Sequence, residues 1–285
     1  MHYLGIDAGA SATQWALINE NGLVISGAQE AMDGHLYRQA SVERMRKVLS
    51  EIAQQIEGIE VCAVFMGITG VRHDGSIENE IDSVFKCSST VVSDIELAYR
   101  ANFPEGDGIL LYAGTGSVSY AIDENGKIHK IGGWGYLLGD EGAGYWIGKE
   151  AIRLALFQLE NEKTILEGSL SHQILNKMQA HDWDTVKAFV YAKERSEIAA
   201  LSRIVDSAAN AGDPEALVIL NKAAAHLAEL VDRIDKKLVR KSLPVKFTGG
   251  ISSSKTLYHE LEKFLRMRVS ISRIDIALRA AELAR

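Results

Sequence analysis

The chain has 285 residues, 47% of them apolar and 24% charged, the balance of an ordinary folded protein, which sets aside wholesale disorder, collagen-like repeats and coiled-coil architecture. At about 150 residues per domain the length predicts two domains. With 31 Lys+Arg against 38 Asp+Glu, a net charge of −7, and with no basic run and no apolar stretch near the ~18 residues of a membrane span, neither nucleic acid nor membrane is an expected partner.

Tyr3 to Ile6, Thr13 to Ile18 and Leu23 to Ser26 read as strands, the last two joined by the turn Asn19-Glu20-Asn21-Gly22. Val42, Met45, Val48, Leu49, Ile52 and Ile56 then fall at helical spacing from Ser41 to Gln55, with Gly58 as the stop. A strand over Val61 to Met66, a short strand over Thr90 to Val92 and a helical run from Ile95 to Ala101 complete an α/β unit with parallel crossovers. Asp7 interrupts the N-terminus before a signal-peptide core forms. Cys62 and Cys87 make no CxxC pair, and Cys62 sits in an apolar run, so both read as reduced packing residues of a cytosolic protein.

From Gly108 the pattern starts again. At an offset of 104 residues Ser11 and Thr13 fall on Thr115 and Ser117, and Glu20-Asn21-Gly22 falls on Glu124-Asn125-Gly126. Both stretches predict strand, Gly/hydroxyl turn, strand, turn, strand. The same offset sets Asp7 against Leu111, so only the first copy carries a carboxylate at its strand end. The expected domains are residues 1–107 and 108–273, with the helical stretch over 274–285 able to cross back to the first.

The second copy is mostly helical between Gly142 and Leu238. Asp213-Pro214 is a helix start, followed by the stripe Leu217, Leu220, Ala224, Leu227, Val231, Ile234 and Leu238. Pro244 to Thr248 reads as a strand ending in Gly249-Gly250, and a helix runs from Lys255 to about Leu265.

Four glycine-rich turns end predicted strands: Asp7 to Thr13, Gly114-Thr115-Gly116-Ser117, Gly132 to Gly142, and Thr248-Gly249-Gly250. Glycine lets backbone N–H groups approach a phosphate, and Ser or Thr adds a hydroxyl donor. Asp7 at a strand end either orients Mg²⁺ or serves its turn. Asp94 is either a helix N-cap or a general base taking a proton from an attacking hydroxyl. Asp140-Glu141 either caps the helix that follows or holds a polar substrate. No P-loop, GxGxxG opening a βαβ unit, GxSxG or HExxH is present.

Asp7-Ala-Gly-Ala-Ser-Ala-Thr13 resembles the DxGxTxT phosphate motif of the actin, Hsp70 and sugar-kinase superfamily. Gly132-Gly-Trp-Gly-Tyr-Leu-Leu-Gly-Asp-Glu-Gly-Ala-Gly-Tyr-Trp-Ile-Gly148 is very similar to the signature of the BadF/BadG/BcrA/BcrD ATPase group that includes N-acetylglucosamine kinases. The resemblance spans nearly the whole chain and implies an α/β fold of two ribonuclease-H-like, actin-like ATPase domains around a central cleft. It implies ATP and Mg²⁺, with Asp94 as catalytic base and Asp7 organising the metal. Gly9, Ser11, Thr13, Thr115 and Gly116 would hold phosphates, and Gly212, Gly249 and Gly250 would line the nucleotide pocket. Trp134, Gly135 and Asp140 would face the sugar, as would His35, which stands near where sugar kinases of this group usually offer an Asn. The implied activity is transfer of the γ-phosphate of ATP to an amino sugar by a cytoplasmic enzyme, in keeping with the homodimers common among similar proteins. The alternatives are an ATPase without sugar kinase activity that holds an iron–sulfur cluster between subunits, and a silent sugar sensor.

Overall fold

Three strands open the chain in the computed structural model, which describes residues 1–9, 12–161 and 164–285. They are β1 (Tyr3–Ala8), β2 (Thr13–Asn19) and β3 (Gly22–Gln29), followed by α1 (Gln39–Gln55), β4 (Ala63–Ile68), α2 (Ser76–Phe85), β5 (Ser88–Ser93) and α3 (Asp94–Asn102). The strands form one sheet in the order β3-β2-β1-β4-β5, antiparallel across β3-β2-β1 and parallel across β1-β4-β5. The helical spacing in α1 puts Met45, Val48, Leu49 and Ile52 on a buried stripe, where they join Leu4, Ile6, Trp15, Leu17, Val64 and Met66 in the core. Each such side chain contributes about 1.5–3 kcal/mol when fully buried. Cys62 does not share in this packing: it precedes β4 and is exposed, whereas Cys87 is half-buried.

The second unit, Gly106–Ser272, opens in the same way with β6 (Ile109–Ala113), β7 (Ser117–Ile122) and β8 (Ile128–Gly132). Helices α4 (Gly144–Glu160), α5 (Leu170–Met178), α6 (Trp183–Ala192), α7 (Arg195–Ala200), α8 (Ser202–Asn210) and α9 (Pro214–Asp235) follow before β9 (Val245–Thr248), α10 (Lys255–Phe264) and β10 (Val269–Ile271). The sheet order is β8-β7-β6-β9-β10, again antiparallel then parallel. Strand for strand, this is the topology of the first sheet, with α4 to α9 standing where the first unit has α1 alone.

The register refines the repeat. Ala8 pairs with Thr13 across the first turn, and Ala113 pairs with Ser117 across the second. Residues 9–12 therefore correspond to the shorter 114–116, so the strand before the turn is offset by 105 residues and not by 104. Asp7 consequently matches Tyr112, where the sequence offset gave Leu111.

Asp213 caps α9 by accepting the N–H groups of Glu215 and Ala216, both at 2.9 Å, with Pro214 at the first helical position. The buried stripe of α9 runs through Leu220, Ala224, Leu227, Val231 and Ile234, but Leu217 is exposed because Ala216 takes the inward position one residue earlier. Leu238 is buried beyond the end of the helix.

The final helix, α11 (Ile276–Ala284), belongs with Met1–Glu105 in the first unit. It lies against β1, β2 and β4, with Ala280 joining Phe65, Val92 and Leu97 in a second cluster. The approach requires Gly5: a Cβ there would lie 2.1 Å from both Ala277 O and Ala281 N.

Candidate active site

In the first unit, carboxylates gather at the ends of the parallel strands. Asp7 lies one residue before the end of β1, level with Gly67 of β4. Asp94 opens α3 directly after β5. Asp275 caps α11, accepting the Leu278 N–H at 2.9 Å. Burial, followed by the negative charges of Asp94 and Asp275, pushes the Asp7 carboxyl up to about 6. Among the described residues no three His, Cys, Asp or Glu side chains converge tightly enough to cage a metal ion.

The N-cap reading of Asp94 does not hold. Ser93 is the cap, its Oγ accepting the Glu96 N–H at 3.2 Å, and Asp94 stands one position further on with Oδ1 accepting the Ile95 N–H. A hydroxyl performs the capping, and the carboxylate is left at the mouth of the helix, where the dipole favours its charge.

In the turn after β1, the Gly9 N–H reaches Ala12 O at 3.1 Å. Thr13 is fully buried, and its Oγ1 has no hydrogen-bond partner among the described residues. Ser11 lies outside the described residues. Asp33 accepts both the backbone N–H of His35 (2.9 Å) and its Nδ1 (3.0 Å), and the imidazole lies on Gly70, where a Cβ would meet the ring at 2.6 Å. Burial alone would raise the Asp33 carboxyl, but hydrogen bonds from the His35 amide, Ser41 and the His35 ring outweigh it and bring it below the ordinary carboxylate range.

In the second unit the corresponding turn is closed and anchored by backbone hydrogen bonds. The Gly114 N–H closes on Gly116 O (2.9 Å), and the carbonyls of Gly114 and Thr115 accept the N–H groups of Gly144 (2.8 Å) and Tyr145 (3.2 Å) at the start of α4. Those bonds turn the carbonyls toward α4 and leave the Thr115 and Gly116 amides outside the turn's own hydrogen bonds. Asp140 adopts a left-handed φ of 62°, a strained conformation for a non-glycine residue. Its carboxylate presses on the turn: a Cβ at Gly116 would lie 2.4 Å from Oδ2, and Oδ1 is buried without a partner among the described residues. Burial raises its carboxyl above the ordinary range, with the Glu141 charge acting the same way, against the Ser117 and Gly135 amides and Arg195.

Gly135 takes a φ of 87° in the loop after β8. Trp134 beside it is 61% exposed, with the Arg233 guanidinium 5.8 Å from its ring centroid. Gly249, at φ 93°, packs on the end of β6, where a Cβ would lie 2.4 Å from Ala113 O, and Gly250 opens a 3-10 turn. Gly212 ends the α8 segment, which is tied to the start of α10 by hydrogen bonds from Ser254 to Asp206 and, at 2.9 Å, from Thr256 to Asn210.

A model of the BadF/BadG/BcrA/BcrD ATPase family matches residues 4–281. The chain belongs to that family. Over 284 residues it is 33% identical to the N-acetylmuramic acid/N-acetylglucosamine kinase of Clostridium acetobutylicum, covering 93% of this chain and 90% of the relative. It is 24% identical to the N-acetyl-D-glucosamine kinase of Dictyostelium discoideum, covering 91% and 88%. A solved structure from Chromobacterium violaceum, provisionally assigned as an N-acetylglucosamine kinase, superposes with a TM-score of 0.79 at 25% identity, covering 100% of this chain and 99% of the other.

Within this BadF/BadG/BcrA/BcrD-family chain the structure brings Asp7 and Asp94 together with Asp275, which sequence reasoning did not single out. A signal was present, since Asp275 stands three residues before Leu278 at the start of a helical run, the spacing of an N-cap. Its placement beside Asp7 depends on the return of α11 to the first sheet, and no local pattern encodes that. In the second unit the structure groups Thr115, Gly116 and Asp140 with Gly249 around the end of β6. Gly212 follows α8, whose last turn is bonded to the start of α10.

Proposed function

We propose that this chain is an ATP-dependent amino-sugar kinase, transferring the γ-phosphate of ATP to a hydroxyl of an amino sugar such as N-acetylglucosamine or glucosamine. The observation that carries the reading is the placement of Asp94. Relieved of capping by Ser93, it stands at a strand end close enough to Asp7 for its charge to raise the Asp7 carboxyl. Phosphoryl transfer needs this pair of functions, one carboxylate to accept the proton of the attacking hydroxyl and one to engage the metal of the nucleotide.

In this reading Asp94 takes the hydroxyl proton and Asp7 holds Mg²⁺. The donor set fits, because crowded carboxylates that repel one another are relieved by a cation and offer the oxygen ligands Mg²⁺ prefers. When bound, Mg²⁺ supplies neutralisation of the charge on the phosphate oxygens. Gly9, Ser11, Thr13, Thr115 and Gly116 contribute amides and hydroxyls to the phosphates; the buried Thr13 Oγ1, without a partner among the described residues, supports that assignment. Gly212, Gly249 and Gly250 line the nucleotide side. His35, Trp134, Gly135 and Asp140 recognise the sugar. Asp33 orients the His35 ring through Nδ1, and the strained Asp140 offers a carboxylate oxygen that no other described group uses. The relatives named above act on amino sugars, which supports this substrate class, and a cytoplasmic homodimer is part of the same proposal. Among the described residues no helix is long and apolar enough to cross a membrane.

The iron–sulfur alternative would draw its ligands from the cysteines, of which Cys62 is exposed and Cys87 half-buried, with burial raising the Cys87 thiol, a shift that a bound metal would override.

The test is ADP release with Mg-ATP against glucosamine, N-acetylglucosamine, N-acetylmannosamine and glucose, with Asp94→Asn beside the wild type. Sugar-dependent release that disappears in the variant is expected. Release without sugar would point to an ATPase, and saturable sugar binding without any release to a sensor.

A further inference from the structure

The structural repeat assigns a role to a residue that neither the family signature nor the glycine turns single out. Tyr112 occupies in β6 the position that Asp7 occupies in β1: each stands one residue before the alanine that closes the turn, on the central strand of its sheet. The other four residues of β6 are buried, whereas Tyr112 is 37% exposed, so a large aromatic side chain stands out from the middle of the second sheet. Its direct partners across the sheet are Val118 of β7 and Thr248 of β9. Paired residues share a face of the sheet, so the ring rises between the turn at 114–116 and the turn that begins at Thr248. The ring folds over the first of these turns: a Cβ at Gly114 would lie 2.7 Å from the Tyr112 hydroxyl and 3.2 Å from Cζ. Gly114 has no left-handed φ, and the atom nearest above it is this phenol oxygen.

We propose that Tyr112 is a nucleotide-binding residue whose phenol O–H donates a hydrogen bond to a phosphate oxygen of a bound nucleoside di- or triphosphate. The inference rests on the ATP-dependent reading above and extends it to a residue of this chain. The chemistry follows from the difference between the two equivalent positions. A carboxylate at the end of β1 accepts and carries negative charge, which suits a cation and repels a bare phosphate. A phenol is neutral at pH 7 and carries a donor, so it engages the anion directly. The equivalent positions of the two copies therefore carry complementary chemistry, a carboxylate suited to a metal in the first and a donor suited to a phosphate in the second.

Calorimetric binding of ADP and of adenosine to the wild type and to Tyr112→Phe tests this, with thermal melts of both proteins. The Phe variant keeps the ring, the strand and the contact with Gly114, so an unchanged melting temperature is expected. Loss of one hydrogen bond to a charged acceptor is expected to weaken ADP binding about tenfold or more, while adenosine binding stays within about twofold of the wild type. Equal losses for ADP and adenosine, or unchanged ADP affinity in a variant whose wild type binds ADP, overturn the assignment of Tyr112 and leave the kinase reading standing. A wild type that binds no adenine nucleotide overturns both.

Discussion

The two sheets share one topology and differ in what they place at the ends of their central strands. In the first, the strand ends bear Asp7 and Asp94, with Asp275 brought in by α11, and the local problem is excess negative charge. In the second, the position equivalent to Asp7 bears Tyr112, beside the glycine turn 114–116 and the Asp140 carboxylate that lies against it. A fold element used twice thus carries a carboxylate in one copy and a neutral phenol in the other at the equivalent position. The lesson is that the scaffold sets where a group stands, and the individual residue sets which sign of charge it attracts.

The largest test of this division is Asp94→Asn, which removes the proton acceptor from the carboxylate side alone. Turnover is expected to fall about 10²–10⁴-fold, with ADP affinity by calorimetry unchanged; a variant that loses ADP binding to the same extent would break the division. Gly5→Val tests how the third carboxylate arrives. Its Cβ would collide with the backbone of α11, and a cost of about 3 kcal/mol or more is expected. Denaturant unfolding reads that cost, and an unchanged midpoint would show that α11 does not need so close an approach.

Asp7→Asn sharpens the charge argument. A carboxyl raised from 3.8 to about 6 in the folded state holds its proton more tightly folded than unfolded, so the wild type loses stability as the pH rises through that window and remains destabilised above it. Without Mg²⁺ the Asn variant should therefore melt higher than the wild type at pH 7.5, by several degrees at roughly 2–4 °C per kcal/mol. The gain should shrink as the pH falls toward about 4, and a lower melting temperature at pH 7.5 would contradict the crowding of carboxylates. The smallest effect is expected from Asp213→Ala, which deletes the cap of α9 and its bond to the Leu170 N–H. A loss of about 1–2 kcal/mol is expected, read by thermal melting with sugar-dependent turnover retained at a temperature well below the transition.

Much of this molecule was legible in its residues. The opening strands, their hairpin turn, the stripe of α1 and the Asp213-Pro214 start of α9 all rest on interactions within a few residues of one another, and each is found close to where the spacing puts it. The duplication was legible too, because turn chemistry recurred in step. The short α2 was not. It opens after Gly75 without a side-chain cap, and its buried residues are only Ile77 and Ile81. Cys62, apolar by its neighbours, is exposed, since an apolar run does not say which of its members face the core.

The sequence by itself determined the α/β class, the repeat, the glycine turns and the two acidic strand ends, because periodicity, turn chemistry and caps act over a few residues. The tertiary structure decided which groups meet. It shifted the register so that Tyr112 and not Leu111 answers Asp7, gave the capping of α3 to Ser93, brought Asp275 to the carboxylates through a helix that rests on Gly5, and pressed Asp140 against Gly116. These contacts depend on strand pairing and on the close approach of backbones far apart in the chain, distances that no local pattern of side chains records.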